Sequence, residues 1–289
     1  MTHAFVLSGG ASLGSIQVGM LAALQEAGIR PDLIVGSSVG ALNGAWLAGH
    51  PGHPVDELAA TWRSLSRSDV FPAAPLFGLA GFAGLRRGFV ANHRLQRLVE
   101  ANLTFTRIEE APIPLHVVVT DVVDAADVRL SAGDVVPAVL ASAAIPGVFP
   151  PVEISGRTYM DGGVVNNTPI SHAVELGADT IWVLPTGWSC ALASPPRGAL
   201  GMALHGLNVL VQQRLAVDIT HYSTNDIDLR VLPLPCPVTT SPADFGQAGH
   251  LIEVAHDAAA AWLSGPATND AALVALGPHE HRRSVRGPA

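Results

Sequence analysis

The sequence predicts an α/β fold in which a mainly parallel sheet is covered by helices on both faces. Short apolar runs rich in β-branched residues alternate along the chain with longer segments of helical periodicity. Parallel strands require this alternation, because each crossover between them usually carries a helix. Hydrophobic residues make up 48% of the 289 positions and charged residues only 14%, which is enough apolar material for a large core. We predict one domain over residues 1–263 and a poorly ordered tail, rich in Pro, Gly and Arg, over 264–289.

The N-terminal half begins with a predicted strand at residues 3–7. A loop of almost no side-chain bulk follows, Ser8-Gly9-Gly10-Ala11-Ser12-Leu13-Gly14, and leads into a helix over 15–27 that stops at Gly28. A second buried strand begins at Asp32 and passes through Gly36-Ser37-Ser38-Val39-Gly40 into a helix over 39–48. Further helices are predicted at 55–65 and 93–101, and a short turn with a capping box at Thr106 and Glu109.

The stretch from Phe71 to Phe89 has a different composition. Its aromatic and leucine side chains are interleaved with Pro and Gly, and Arg86-Arg87 follows them. Such a segment resists regular structure yet is too apolar for a solvated loop. Two interpretations stay open: a buried irregular packing segment, or a mobile lid that makes transient contact with a membrane surface.

The C-terminal half continues the alternation of strands and helices. Strands are predicted at 115–123, 128–130, 158–160, 180–184 and 227–232, and helices at 134–144, 168–176, 200–219 and 247–263. Pro137 is compatible with the first turn of its helix, where the missing N–H donor costs nothing. A rigid Pro-rich link at 141–151 precedes the strand that ends at Asp161.

Composition and charge exclude several classes of function. The formal net charge of −8 disfavours nucleic-acid binding and electrostatic attraction to anionic lipid headgroups. Cys190 and Cys236 do not have a metal-ligand spacing, and the loop over 8–14 fits neither of the common glycine-rich nucleotide motifs. The N-terminus lacks the basic region of a signal peptide, and no apolar run is long enough to span a membrane. We expect a soluble cytoplasmic protein whose membrane contact, if made, is peripheral and apolar.

The motif Gly36-x-Ser38-x-Gly40 predicts a nucleophile elbow. A sharp turn from strand to helix places the central residue in a strained conformation, and the flanking Gly36 and Gly40 let other backbone approach closely. Ser38 is the candidate nucleophile. The candidate donors to an oxyanion are the backbone N–H groups of Gly9, Gly10 and Ala11, together with Val39.

The candidate base is Asp161, which follows a strand and precedes Gly162 and Gly163. These glycines leave its carboxylate unshielded and allow its backbone to approach another loop. A histidine base would be expected in a loop beyond a strand end. Instead, five histidines of the C-terminal half lie in predicted helices or at a helix end: His172, His205, His221, His250 and His256.

Three ordered motifs resemble the patatin-like phospholipase family: the loop with Gly9, Gly10 and Gly14, the elbow at Ser38, and Asp161-Gly162-Gly163 followed by Asn167 and Pro169. The block from Ala141 to Pro150, with Ser142, Pro146 and Phe149, also resembles that family's segment before the aspartate. The resemblance covers roughly residues 3–185. It implies a three-layer α/β/α fold, a Ser38–Asp161 dyad without histidine, and hydrolysis of lipid acyl esters without a metal or other cofactor.

One position departs from that family, whose members commonly have Arg or Lys where this chain has Leu13. The backbone donors survive the change, but a cation that could contact an anionic headgroup is missing, which favours a neutral acyl ester. We expect Asp161 to take the Ser38 proton directly, with burial beside an acyl groove raising its pKa. The alternatives are an α/β-hydrolase with a Ser-His-Asp triad and a non-catalytic module that binds lipid or protein.

Overall fold

The computed structural model describes residues 1–52, 54–71, 92–187, 195, 198–223, 227–236 and 240–265. Within these ranges, eight strands form one sheet: β1 His3–Leu7, β2 Leu33–Ser37, β3 Leu115–Asp121, β4 Asp127–Leu130, β5 Val152–Ile154, β6 Arg157–Asp161, β7 Thr180–Leu184 and β8 Asp228–Val231. Their order across the sheet is β5-β6-β3-β2-β1-β7-β8, and β4 also pairs with β3. The central strands β1, β2 and β7 are buried along nearly their whole length.

Ten helices accompany the described strands. They are α1 Gly14–Glu26, α2 Val39–Gly49, α3 Asp56–Ser64, α4 Arg67–Val70, α5 His93–Asn102, α6 Val135–Ser142, α7 Gly163–Asn166, α8 Ile170–Glu175, α9 Gly198–Tyr222 and α10 Ala248–Leu263. Two short 3-10 turns occur at Ala11–Leu13 and Ile108–Glu110. Helices cover both faces of the sheet, so the predicted three-layer α/β/α class is confirmed.

The sheet is mixed, with its parallel part at the centre. β3, β2, β1, β7 and β8 run parallel in that order, whereas β4 and β6 pair antiparallel with β3, and β5 pairs antiparallel with β6. β5 and β6 form a hairpin through Ser155 and Gly156, which both have positive φ. The prediction of a mainly parallel sheet is therefore confirmed, with an antiparallel edge that the helix–strand alternation did not show.

Several predicted details differ from the structure. The third strand ends at Asp121 instead of residue 123, because the Asp121 carboxylate accepts hydrogen bonds from the N–H groups of Val123 and Asp124 in the turn that follows. The capping box predicted at Thr106 lies one residue later, at Arg107 and Glu110. The predicted lid segment lies outside the described residues except for Phe71, and so does the tail from residue 266 onward.

The register of three strands brings the two candidate catalytic residues together. Val118 of β3 pairs with Ser37 at the end of β2, and the next residue, Val119, pairs with Asp161 at the end of β6. Neighbouring strands lie about 4.8 Å apart, so residues on either side of β3 are within reach of each other's side chains. The N-terminal loop after β1 meets the same edge, because β1 and β2 are parallel.

Candidate active site

The elbow predicted at Ser38 is present as a strained turn between β2 and α2. Ser38 has φ of 53° and ψ of −124°, a conformation that non-glycine residues seldom adopt. Its backbone N–H donates to Ser142 Oγ at 2.8 Å, and the Ser142 hydroxyl donates to the Val118 carbonyl oxygen at 2.6 Å. The turn is therefore tied to the middle of β3 through one buried hydroxyl.

Ser38 and Asp161 form a direct hydrogen bond. The Ser38 hydroxyl donates to Asp161 Oδ2 at 2.7 Å, and the Gly163 N–H donates to Asp161 Oδ1 at 2.7 Å. The backbone of Asp161 is also fixed, since its N–H donates to the Ala144 carbonyl and its own carbonyl accepts from Thr120 Oγ1. Both side chains are almost completely shielded from water, with exposures of 6% for Ser38 and 5% for Asp161.

The carboxyl group of Asp161 has a strongly perturbed acidity. Burial raises the pKa of Asp161 to about 6, although the hydrogen bonds from Ser38 and Gly163 act in the opposite direction. A base with a pKa closer to neutrality is a better proton acceptor than an unperturbed carboxylate, while still being ionised at pH 7. The direction of this shift is the one expected from the sequence.

The loop after β1 supplies backbone donors, but Gly9 differs from the expectation. The Gly9 N–H is already donated to the Asn167 carbonyl oxygen at 3.1 Å. The N–H groups of Gly10, Ala11 and Val39 make no hydrogen bond within the described part of the chain. Ala11, which has φ of 51°, and Val39 line the same cavity as Ser38. Because N–H groups at the first turn of a helix lack partners within it, these donors suit a developing negative charge.

The glycines predicted around the site are required by close packing. A Cβ atom at any of these seven positions would lie less than 3.0 Å from neighbouring atoms: Gly9, Gly10, Gly14, Gly36, Gly40, Gly162 and Gly163. At Gly40 the obstacle is the backbone carbonyl of Leu7, which cannot move without disturbing β1. The tight contact between elbow and first loop thus depends on residues without side chains.

Ser38 opens onto an apolar cavity between the helices on one face of the sheet. Trp46, Trp62, Phe71, Phe149 and Phe245 supply its aromatic walls, and Phe71 stacks on Phe149 with ring centroids 5.5 Å apart. The polar lining side chains are Ser38, Asn43, Thr61 and Asn102, and no charged side chain is among the described lining residues. Such a cavity fits a hydrocarbon chain.

No histidine lines this cavity among the residues that the structure describes. His172, on α8, contacts Asp127 and Glu175, and His256, on α10, contacts Glu26 and Asp257. In the described ranges, no group of three or more His, Cys, Asp or Glu side chains is arranged to hold a metal ion. None of the described helices is long and apolar enough to cross a bilayer.

A buried polar network below the first loop was not predicted from the sequence. The Trp62 indole N–H donates to Asn43 Oδ1 at 2.9 Å, and Asn43 Nδ2 donates to Gln17 Oε1 at 2.9 Å and to the Gly14 carbonyl at 3.0 Å. Gln17 Nε2 then donates to the carbonyl oxygens of Ser8 and Leu184. Gln17 and Asn43 stand in otherwise apolar helical runs, which is a sequence signal for buried amides with partners.

The sequence of this chain is similar to those of known proteins. The sequence profile of the patatin-like phospholipase family matches residues 5–174. An uncharacterised NTE family protein of Mycobacterium tuberculosis is 31% identical over 201 residues, which cover 68% of this chain and 51% of that protein. The lysophospholipase nte1 of Aspergillus terreus is 28% identical over 191 residues, covering 63% of this chain and 12% of the relative.

Among solved structures, VipD from Legionella pneumophila matches with a TM-score of 0.46 and 16% identity, covering 91% of this chain and 66% of that one. The present chain spans about half or less of the length of the two curated relatives. The matched region contains the first loop, the elbow, Asp161 and Asn167 in the order described above. The chain belongs to the patatin-like phospholipase family.

Proposed function

We propose that this protein is a serine acyl hydrolase that cleaves lipid acyl esters through Ser38 and Asp161. The observation that carries the proposal is the 2.7 Å hydrogen bond from Ser38 Oγ to a buried carboxylate of raised pKa, at the wall of an apolar cavity. Nucleophilic catalysis requires a nucleophile within hydrogen-bond reach of its base, and these two groups meet that requirement without a third residue.

In the proposed mechanism, Asp161 accepts the Ser38 proton as Oγ attacks the carbonyl carbon of the ester. The N–H groups of Gly10, Ala11 and Val39 stabilise the oxyanion. When this tetrahedral intermediate collapses, the bond between the carbonyl carbon and the alcohol oxygen breaks, and the alcohol leaves with the proton from Asp161. Water then attacks the acyl-enzyme and gives its proton to Asp161. Release of the fatty acid returns this proton to Ser38.

The proposed substrate is a lipid with one acyl chain in the cavity and an uncharged group near the reacting ester. Leu13 is buried against Gly187 and offers no charge to a phosphate, and the described cavity lining is uncharged. The name of the Aspergillus terreus relative supports lysophospholipids as further substrates to be tested. A monoacylglycerol and a lysophospholipid with the same acyl chain form a matched pair for the first assay.

The proposal is tested with a fluorophosphonate probe and peptide mapping by mass spectrometry. The expected result is one phosphonylated residue, Ser38, together with hydrolysis of p-nitrophenyl acyl esters by the purified chain. Probe attachment requires an activated serine, so it separates an enzyme from a binding module of the same fold. Absence of both labelling and hydrolysis would support the non-catalytic alternative.

The raised pKa of Asp161 predicts the acid limb of the pH profile. Only the ionised carboxylate can accept the Ser38 proton, and its fraction rises with pH through a pKa of about 6. We expect kcat/KM to fall about tenfold per pH unit below that midpoint and to be level above it. The measurement is kcat/KM for an uncharged ester between pH 4 and pH 9. A midpoint near 4 would contradict the raised pKa of Asp161 as the source of the acid limb.

Narrowing the cavity should change the preference for acyl chain length. Leu98 of α5 lines the cavity, and its partly exposed position can accept a larger side chain. We expect Leu98→Trp to lower kcat/KM for long-chain esters about tenfold more than for butyrate esters, since long chains need the whole cavity. Val217→Trp, on the exposed side of α9, is the control. Equal losses for all chain lengths would contradict acyl binding in this cavity.

A further inference from the structure

Thr186 contacts the first loop from the end of β7, the strand that lies next to β1 in the sheet. It follows β7, its side chain is buried, and its hydroxyl donates to the Gly9 carbonyl oxygen at 2.5 Å. A second donor, Asn167 Nδ2, lies 3.3 Å from the same oxygen. Thr186 also fills the space beside Gly10, where a Cβ atom would overlap its side chain. Nothing in the mechanism above uses this hydroxyl.

The hydrogen bond from Thr186 fixes the direction of a neighbouring N–H group. The Gly9 carbonyl and the Gly10 N–H belong to one planar trans peptide unit, in which C=O and N–H point in opposite directions. Since the Gly9 oxygen is held on the side of Thr186 and Asn167, the Gly10 N–H is turned to the opposite side. That N–H has no partner within the described residues.

The adjoining peptide units are held by other contacts. The Gly9 N–H donates to the Asn167 carbonyl, and the Gly10 carbonyl accepts from the Leu13 N–H at 3.1 Å. The unit between them joins two glycines, whose backbones permit many more conformations than other residues do. It could therefore rotate about its own axis without moving its neighbours. The Thr186 hydroxyl opposes this rotation.

We propose that Thr186 is a positioning residue of the oxyanion hole, which aims the Gly10 N–H at the developing negative charge. This inference rests on the proposed acyl hydrolase function. Removing a direct oxyanion donor lowers kcat by about 10²–10³-fold in other enzymes, and Asn167 remains on the Gly9 oxygen when Thr186 is changed. The expected loss for a positioning residue is therefore smaller, about 10- to 100-fold in kcat.

The test compares Thr186→Val, which removes the hydroxyl but keeps the shape, with Thr186→Ser, which restores the donor. Thr180→Val is the control, because Thr180 is a buried threonine at the other end of β7. For Thr186→Val we expect the loss in kcat, little change in KM, and weaker inhibition by an acyl trifluoromethyl ketone, whose adduct with serine carries an oxyanion. Binding of the free fatty acid should be unchanged, and Thr186→Ser should recover most of the activity.

Three results would overturn the inference: kcat within threefold of wild type in Thr186→Val, equal weakening of trifluoromethyl ketone and fatty acid binding, or a serine variant as inactive as the valine variant. If Thr186→Val does not fold, Thr186→Cys takes its place, because its S–H is a weaker donor, and unchanged kcat would again overturn the inference. These outcomes concern Thr186 alone. A wild-type protein without hydrolase activity would instead refute the proposed function.

Discussion

Replacing Ser38 with alanine is expected to lower kcat for acyl ester hydrolysis by at least about 10⁴-fold, to the level given by binding and backbone donors alone. The physical reason is that Ser38 Oγ is the atom that would form the acyl-enzyme, and within the described residues no second hydroxyl is bonded to the side-chain carboxylate of Asp161. Steady-state hydrolysis of a p-nitrophenyl ester and labelling by a fluorophosphonate should be lost together.

The preceding residue provides a matched control. Ser37 is fully buried at the end of β2, and its hydroxyl has no hydrogen-bond partner among the described residues. Ser37→Ala removes one buried hydroxyl at the same turn but leaves the Ser38–Asp161 pair intact, so its activity should stay within a few-fold of wild type. An active Ser38→Ala protein, with Ser37→Ala equally active, would show that the nucleophile lies elsewhere.

Replacing Asp161 with asparagine is expected to lower kcat by about 10⁴-fold and, at the same time, to stabilise the fold. The amide accepts a hydrogen bond but is not basic, so the Ser38 proton has no acceptor. A protein in which one of the histidines acted as the base would respond differently. There, substitution of that histidine would abolish activity and Asp161→Asn would retain it.

The expected stabilisation follows from the acidity of the buried carboxyl. The folded pKa of about 6 lies above the unfolded value of about 3.9. Between these two pH values the native state binds more protons than the unfolded state. The free energy of unfolding therefore falls as the pH rises from about 4 to about 6, and it has lost the full contribution of this group above pH 6. Asparagine cannot ionise. At pH 8 we expect Asp161→Asn to raise the free energy of unfolding by about 2–3 kcal/mol, measured by urea denaturation.

Asp121 is a buried aspartate whose effect on stability should depend on pH in the opposite direction to that of Asp161. The N–H groups of Asp124 and Val123, together with the Arg157 guanidinium, hold the pKa of Asp121 below its usual range. Its ionised form therefore stabilises the fold above the unfolded pKa, and this contribution is lost as pH falls through the folded pKa. Asp121→Asn should lower stability at pH 8 and leave the Ser38–Asp161 pair unchanged. Equal effects of the two substitutions would contradict the burial argument for Asp161.

The order of strands and helices could be predicted because each element has its own hydrophobic periodicity in the sequence. The strands at residues 3–7 and 180–184 were predicted at their observed bounds, since both are short apolar runs with clear breaks on each side. Strand direction is not local information, so the alternation of strands and helices does not predict the antiparallel pairing of β6 with β3 or of β5 with β6. A signal did exist at Ser155-Gly156, a two-residue turn of the type that joins hairpin strands.

The candidate site was predictable where its residues stand in a motif. The structure brings Ser38 and Asp161, 123 positions apart in sequence, to hydrogen-bond distance, while their catalytic roles stay predictions. Ser142 belongs to the block that resembles the family, but nothing in its sequence context indicates the hydrogen bond that it accepts from the Ser38 N–H. No sequence motif identifies the buried polar residues around the site, because their hydrogen bonds join elements that are distant in sequence. These residues are Gln17, Asn43, Trp62 and Thr186.

The hydrogen-bond network from Trp62 through Asn43 to Gln17 also has a consequence for the proposed catalysis. It crosses three helices and ends on carbonyl oxygens at the ends of β1 and β7, with every side-chain donor and acceptor in it engaged. In water, dipoles must reorganise around each new charge, and that reorganisation is a large part of an uncatalysed barrier. Here the peptide dipoles of the first loop are oriented when the chain folds, before any substrate arrives. In the proposed hydrolase, the N–H groups of this loop would therefore be oriented toward the developing oxyanion before the substrate binds.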